Sequence, residues 1–198
     1  MSPRPRTIDD GDILQAAAMT ISRVGPSNFT LADVASAVGL SPATLVQRFG
    51  SKRGLMLALA EQGVAGVDAC FAAVRAEQPA PLDALVAAAT HMTRFVDTPE
   101  EMANHLAFLQ IDLSDPEFYR LMLENSRRIL AGYKALLDEA VRTGDLVKCD
   151  TRRLASAVGS MAGGSLIAWA VMRQGSAQQF VRKDLQTLLA PYRTTTKR

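Results

Sequence analysis

The sequence predicts an all-α protein of about nine helices, with an N-terminal three-helix unit joined through the fourth helix to a C-terminal helical bundle. Apolar residues recur at helical spacing along almost all of the 198 residues, and no run of alternating β-branched residues interrupts them. Glycine and proline break the pattern at residues 25–26, 78–81, 112–116, 144 and 175. The predicted helices are residues 9–23, 31–38, 42–49, 52–77, 82–96, 99–110, 117–143, 151–173 and 177–190.

Local signals define the second and third helices most sharply. Thr30 is a good N-cap, and Asp33 stands three residues later, where it can complete a capping box. Gly39 is suited to the left-handed conformation that ends a helix. Ser41 can cap the next helix, which Pro42 begins at no cost in amide donors. Two short capped helices joined through one glycine are typical of a helix-turn-helix.

The outward face of the third helix suits contact with DNA. It carries Ala43, Thr44, Gln47 and Arg48, which are short or polar and include no acid. Such side chains favour insertion into a major groove about 12 Å wide. Residues 1–54 carry six basic and four acidic side chains, so the whole net charge of +2 lies in this first part of the chain.

The segments Thr30-Leu-Ala-Asp-Val-Ala, Val38-Gly-Leu-Ser-Pro-Ala-Thr-Leu and Phe49-Gly-Ser-Lys52 resemble the tetracycline-repressor-like (TetR) family of transcriptional regulators. The resemblance covers about residues 10–60, and the length and helix number of the remainder fit the same family. It implies that Thr30 and third-helix residues contact DNA and that Lys52 contacts a phosphate. Two residues depart from the family pattern, because Val46 replaces the usual Tyr and Arg48 replaces a common His.

Each candidate DNA contact has an expected role. Gln47 is expected to bind adenine in a bidentate manner, and Thr44 to contact a thymine methyl group or a phosphate. Arg48 and Lys52 are expected to hold phosphates, which position the protein without reading sequence. Arg4 and Arg6 lie in a Pro-rich arm that either enters a minor groove or has no ordered role. The complete predicted DNA-binding set is Arg6, Thr30, Ser41, Pro42, Ala43, Thr44, Val46, Gln47, Arg48 and Lys52.

We expect a DNA-binding domain over residues 1–54 and a ligand-binding and dimerisation domain over residues 55–198, joined rigidly inside the fourth helix. Gly54 is expected to weaken the start of that helix, because Gly costs about 1 kcal/mol relative to Ala. A single helix-turn-helix makes few contacts, so two copies would read a palindrome with recognition helices about 34 Å apart or a multiple of that distance. The predicted homodimer interface lies on the eighth and ninth helices and comprises Val158, Met161, Ala162, Gly163, Leu166, Ala170, Phe180, Leu185 and Leu188.

A cavity between the middle helices is expected to bind a small effector. Aromatic and methionine side chains are concentrated there, and pockets between bundle helices are common ligand sites. Most of these residues belong to an ordinary core, while His91, His105 and Tyr119 offer polar groups that orient a ligand. The predicted ligand-binding set is His91, Phe95, Met102, His105, Phe108, Tyr119, Met122 and Trp169, which favours a largely apolar or aromatic molecule.

Other function classes have weaker support. The two cysteines match no metal or redox spacing, no catalytic motif is present, and no cofactor or metal is expected. A helical-bundle enzyme remains an alternative. Residues 154–172 are uncharged, long enough to span a membrane and contain Gly159-x-x-x-Gly163, so a membrane-associated protein is another. No signal peptide is expected, and the preferred hypothesis is a cytoplasmic regulator, with repression the commoner mode that the resemblance implies.

Overall fold

A computed structural model describes residues 8–194, with the exception of the Met92 side chain. Arg4 and Arg6, the predicted arm contacts, lie outside the described residues. Nine α-helices and two short 3₁₀ helices make up this part of the chain, with no strand among them. The α-helices are α1 (Asp10–Val24), α2 (Leu31–Val38), α3 (Pro42–Phe49), α4 (Lys52–Glu77), α5 (Pro81–Thr90), α6 (Pro99–Ser114), α7 (Pro116–Thr143), α8 (Thr151–Met172) and α9 (Ala177–Leu189). The all-α prediction is confirmed.

The predicted caps form around α2 and α3. Thr30 Oγ1 accepts from the Asp33 amide at 3.2 Å, and Asp33 Oδ2 accepts from the Thr30 amide at 2.8 Å, which completes the capping box. Gly39 ends α2 with φ 69°, in the left-handed region where a side chain would be strained. Ser41 Oγ then accepts from the Thr44 amide at 3.2 Å, and Pro42 begins α3.

Two apolar cores hold the helices together. The first joins α1, α2 and α3 to the start of α4, with Ile13, Phe29, Val34, Leu45 and Leu55 fully buried. It also takes in Phe118, from the first turn of α7. The second core fills the bundle of α5, α7, α8 and α9. Because α4 contributes to the first core and packs along α7, it is the continuous element that connects the two units.

The middle of the chain differs from the predicted boundaries. The fifth helix was expected to reach residue 96, yet α5 ends at Thr90 and His91–Phe95 form a 3₁₀ helix. Thr90 and Thr93 direct their hydroxyls to backbone carbonyl oxygens, Thr90 to Val86 at 2.9 Å and Thr93 to Thr90 at 2.7 Å, and such bonds compete with regular helix. The sixth helix continues to Ser114, because the break at residues 112–116 is confined to the Asp115-Pro116 junction.

Two helices, α4 and α8, are long and apolar enough to cross a membrane by length and composition alone. Both pack along other helices of the same chain, α4 along α7 and α8 between α7 and α9. Leu154, Val158, Leu166 and Trp169 of α8 are buried in the second core. The buried face of α8 is typical of a core helix in a helical bundle, whereas α4 buries only Leu55, Met56 and Val67.

Candidate nucleic-acid interface and effector cavity

Helix α3 lies on the surface and is held there from one side. Leu45 is fully buried in the first core, while Val46 is 48% exposed and Gln47 is exposed on the same helix. The residues that project outward with Gln47 are Ser41, Pro42, Ala43 and Arg48. No acidic residue occurs on α3, so its outer face does not repel phosphate.

Hydroxyl groups near the N-termini of α2 and α3 are partly engaged in local bonds. Thr44 is half-buried and its Oγ1 lies 2.9 Å from Ser41 Oγ. Thr30 is exposed and donates its hydroxyl to Asp33 Oδ2 at 2.7 Å. Hydrogen bonds from the Thr30 side chain and backbone lower the pKa of Asp33, so this carboxylate stays ionised and keeps the cap formed.

The two side chains predicted to contact phosphate, Arg48 and Lys52, make contacts within the protein itself. Arg48 Nη1 donates to the carbonyl oxygen of Ile8 at 2.9 Å and lies 3.2 Å from Asp10 Oδ1. Lys52 Nζ donates to the carbonyl oxygen of Ser27 at 3.0 Å and lies 4.4 Å from the centroid of the Phe29 ring. Both side chains therefore exchange existing contacts if they bind phosphate.

An apolar cavity of about 200 Å³ lies at the junction of the two units. Three elements of the C-terminal unit and helix α1 of the N-terminal unit surround it. Its lining residues are Ala18, Ile21, Ser22, Leu59, Ala60, Phe95, Asn104, His105 and Phe108. Of the predicted ligand residues, the structure thus brings together Phe95, His105 and Phe108.

The other predicted ligand residues lie elsewhere. Met102 and Trp169 are 3% and 4% exposed in the second core, and Trp169 Nε1 donates to the carbonyl oxygen of Gly175 at 3.0 Å. Tyr119 is 46% exposed, and Met122 is half-buried on α7. His91 lines a separate, polar recess beside Glu77, Arg94, Asp97 and Arg182. These five residues do not line the junction cavity, because their helices turn them into the core, into this recess or into solvent.

The junction cavity is electrically neutral. No Lys, Arg, Asp or Glu is among its lining residues, and desolvation lowers the pKa of His105, which keeps the imidazole uncharged at pH 7. Asn104 and Ser22 line it as well, and sequence reasoning missed both because an Asn or Ser on a helix normally faces solvent. Among residues 8–194, no group of three His, Cys, Asp or Glu side chains is arranged to hold a metal ion.

An ion-pair cluster connects the start of α4 with the corner between α6 and α7. Arg53 donates to both carboxylate oxygens of Asp115, at 2.9 and 3.0 Å, and to Glu117 Oε2 at 2.9 Å. The hydrogen bond from Arg53 is the main reason why the pKa of Asp115 is lowered. Asp115 is also the N-cap of α7, so Arg53 is attached to the point where that helix begins. No local pattern in the sequence predicts this pairing, since the partners are 62 and 64 residues apart.

The predicted dimer residues divide between the protomer's interior and its surface. Val158, Ala162, Leu166 and Leu185 are buried in the second core, so they have no surface to offer a partner. This corrects their placement in the interface: they lie on the inner face of the α8–α9 pair, which packs on α5 and α7. Met161, Ala170, Phe180 and Leu188 are partly buried, and Gly163 is exposed with open space where a Cβ would lie.

Known proteins match this chain at two levels: a family model matches the N-terminal unit, and relatives match most of the chain. A family model described as bacterial regulatory proteins, tetR family, matches residues 13–59. An HTH-type transcriptional regulator BetI from Agrobacterium fabrum is 32% identical over 139 residues, which cover 69% of this chain and 66% of that protein. A protein of the same description from Paraburkholderia phymatum is 30% identical over 163 residues, 80% of each chain.

A solved structure shares the whole fold. The transcriptional regulator from Saccharomonospora viridis, determined in complex with choline, superimposes with a TM-score of 0.71 at 20% identity. The match covers 91% of this chain and 95% of that one. At this identity the likeness shows a common fold.

Proposed function

Because the chain belongs to the TetR family of DNA-binding transcriptional regulators, we propose that it represses transcription by binding a palindromic operator as a homodimer and is released by a small effector. It is a regulator and not an enzyme, as its relatives are. The resemblance carried by residues 30–52 is thereby confirmed. We also propose that it works in the cytoplasm, where its DNA lies.

The observation that supports operator binding most directly is the presentation of α3. Leu45 anchors α3 in the first core. Gln47 and the exposed residues at the start of α3 face solvent, and none of them is acidic. A helix end of this kind can enter the major groove, with Gln47 placed to bind adenine. We propose residues 1–54 as the DNA-binding domain and residues 55–198 as the effector and dimerisation domain.

An uncovered stripe on α8 supports the homodimer. The small residues Ser156, Ser160 and Gly163, in the first half and middle of the helix, are exposed on one face. Ile167 and Val171 continue the same face at 45% and 75% exposure. Small residues allow close approach of a partner helix and apolar ones gain from burial, so a two-fold copy of this stripe would cover it. Partly buried Met161, Phe180 and Leu188 would extend the contact.

Selection of bound sequences from random DNA with the purified protein tests the proposed function. We expect a two-fold symmetric site whose half-sites are about 34 Å apart, or a multiple of that distance. Selection of a single asymmetric half-site, or no enrichment at all, would contradict the operator proposal.

The dimer has its own test in Gly163→Asp, which places a charge in the α8 stripe. We expect a monomer by analytical ultracentrifugation and loss of operator affinity, because a buried unpaired charge is costly. Gly63→Asp is the matched control, since Gly63 is also an exposed helical glycine with open space around it, on α4. A Gly163→Asp protein that stays dimeric would show that the interface lies elsewhere.

A further inference from the structure

We infer that the effector site is the cavity at the junction between α1 and the C-terminal unit, and that its ligand is a compact, uncharged molecule with an apolar ring or branched body and one hydrogen-bonding group. A ligand bound there contacts α1 directly, so its effect on α1 does not depend on movements of the other helices of the C-terminal bundle. This inference rests on the proposed function for its regulatory part only, because binding to the cavity can be measured without DNA.

The lining fixes the chemical class of ligand. Ile21, Leu59, Phe95 and Phe108 supply apolar surface, and no lining residue offers a charge to pair with an ion. The guanidinium group of Arg94 already lies 4.5 Å from the centroid of the Phe95 ring. A cationic ligand beside this ring would therefore meet a charge of the same sign. The volume of about 200 Å³ exceeds the roughly 150 Å³ of an apolar protein cavity that binds benzene.

Two side chains provide the polar contact. His105, neutral because desolvation lowers its pKa, can donate from one ring nitrogen or accept at the other. Asn104 lies beside it on α6 and lines the same cavity. A hydroxyl or carbonyl group on the ligand fits this pair, whereas a carboxylate would lose its hydration with no cationic side chain among the lining residues to pair with it.

The same residues attach α1 to the C-terminal unit. Asn104 Nδ2 donates to the carbonyl oxygens of Ser22 and Arg23, at 2.8 and 3.1 Å, and so caps the last turn of α1 from α6. Ser22 Oγ donates to the carbonyl oxygen of Phe95. Three residues that line the cavity, Ser22, Phe95 and Asn104, therefore also form the hydrogen bonds that fix α1.

The backbone at the end of α1 shows how close this attachment is. Gly25 has φ 85°, and a Cβ there would lie 2.7 Å from Asn104 Oδ1. A ligand that bonds to Asn104 competes with the capping of α1, and one that fills the space between Ile21 and Phe108 changes the separation of α1 and α6. Since α1 packs on α2, a shift of α1 moves the helix-turn-helix. The ligand thus favours a conformation with altered spacing of the recognition helices.

Benzyl alcohol is the probe of choice, because it combines one apolar ring with one hydroxyl group. With ¹³C-methyl-labelled full-length protein, we expect millimolar benzyl alcohol to shift the resonances of Ile21 and Leu59 selectively. Choline, tested in parallel, should shift neither. Shifts confined to methyl groups of the second core, absence of any shift at Ile21 and Leu59, or stronger shifts from choline would each overturn the inference.

A cavity-filling variant tests the site and the regulation together. Ala60→Leu occupies the space, and Ala72→Leu is the matched control, since Ala72 is an exposed alanine of the same helix. Saturating benzyl alcohol should weaken binding of the wild-type protein and of Ala72→Leu to the selected operator about tenfold, within the usual range of allosteric coupling. Ala60→Leu should show no such change and no methyl shifts.

The outcomes separate this inference from the proposed function. Binding at Ile21 and Leu59 with unchanged operator affinity would overturn the regulatory role of the cavity, whereas failure to select any operator would overturn the proposed function and leave the ligand site intact. If Ala60→Leu proves unfolded by circular dichroism, the methyl shifts of the wild-type protein decide the location of the site alone.

Discussion

Gly54 is required by close packing at the α3–α4 turn. A Cβ atom at this position would overlap the carbonyl oxygen of Phe49, which is backbone and cannot move aside alone. Helix propensity alone marks Gly54 as a weak point of α4, because it describes a residue within its own helix. The contact with Phe49 comes from the preceding helix, and it explains why a poor helix former stands in the first turn.

Gly54→Ala should therefore lower the free energy of unfolding, by about 1–2 kcal/mol, although alanine is the better helix former. Gly66→Ala is the matched control, because Gly66 lies on the same helix with open space where its Cβ would be. That control should raise the free energy of unfolding by up to about 1 kcal/mol. Urea denaturation of the three proteins measures both effects, and a Gly54→Ala protein as stable as the wild type would contradict the packing explanation.

The partly buried carboxyl group of Asp112, on α6, makes the stability of the fold depend on pH. Burial raises the pKa of its carboxyl to about 6, above the value of about 3.9 in an unfolded chain. The folded protein therefore binds this proton more tightly, and the resulting stability is present below pH 4 and is lost as the pH rises through 6. At neutral pH the ionised carboxylate destabilises the fold.

Asp112→Asn should remove that cost. We expect the variant to be more stable than the wild type by about 1 kcal/mol at pH 7.5, a value reduced for the partial solvent access of the side chain. The difference should vanish at about pH 3, below both pKa values, where the aspartate is protonated in the folded and the unfolded chain. Denaturation in urea at the two pH values measures this, and a difference independent of pH would exclude ionisation of Asp112 as its cause.

Helix bounds can be predicted from the sequence where the capping residues that define them are close together in the chain. The bounds of α2 and α3 are predicted correctly because Thr30, Gly39 and Ser41 form caps with residues at most four positions away. Prediction from the sequence fails where partners are distant. The assembly of Phe95, His105 and Phe108 with Ser22 depends on how α1 crosses α6, which no spacing in the sequence encodes.

Arg53 of α4 and Asp115, the N-cap of α7, form an ion pair between residues that are 62 positions apart in the sequence. Asp115→Asn removes the charge that Arg53 binds, yet Asn can still accept from the amides of Glu117 and Phe118 and so cap α7. We expect amide hydrogen exchange at Leu55 and Met56 to become several-fold faster, because the start of α4 loses its tether. Asp138→Asn, which breaks a pair with Lys134 within α7, is the control and should leave those amides unchanged. Unchanged exchange in Asp115→Asn would show that the pair does not hold α4.

For the whole molecule, the two cores would explain how one chain combines DNA binding with the proposed response to a ligand. The first core holds α3 at the surface and extends to Phe118 of α7, while the second core leaves the α8 stripe, the proposed dimer surface, exposed. The junction cavity lies between them, and a ligand bound there would act on α1, which packs on α2. In the proposed homodimer, both subunits would contribute this effect to operator affinity.

If α3 reads base edges two-fold, the affinities of the wild-type and Gln47→Ala proteins for the selected operator and for each of its single-base variants will show it. We expect Gln47→Ala to lose discrimination of about 1–3 kcal/mol at one position of each half-site, symmetrically placed, and to keep the preference elsewhere. Lys52→Ala is the comparison and should weaken binding to every sequence alike, with a smaller salt dependence. If Gln47→Ala retains the preference at all positions, or weakens all sequences as Lys52→Ala does, α3 is not the element that reads the operator.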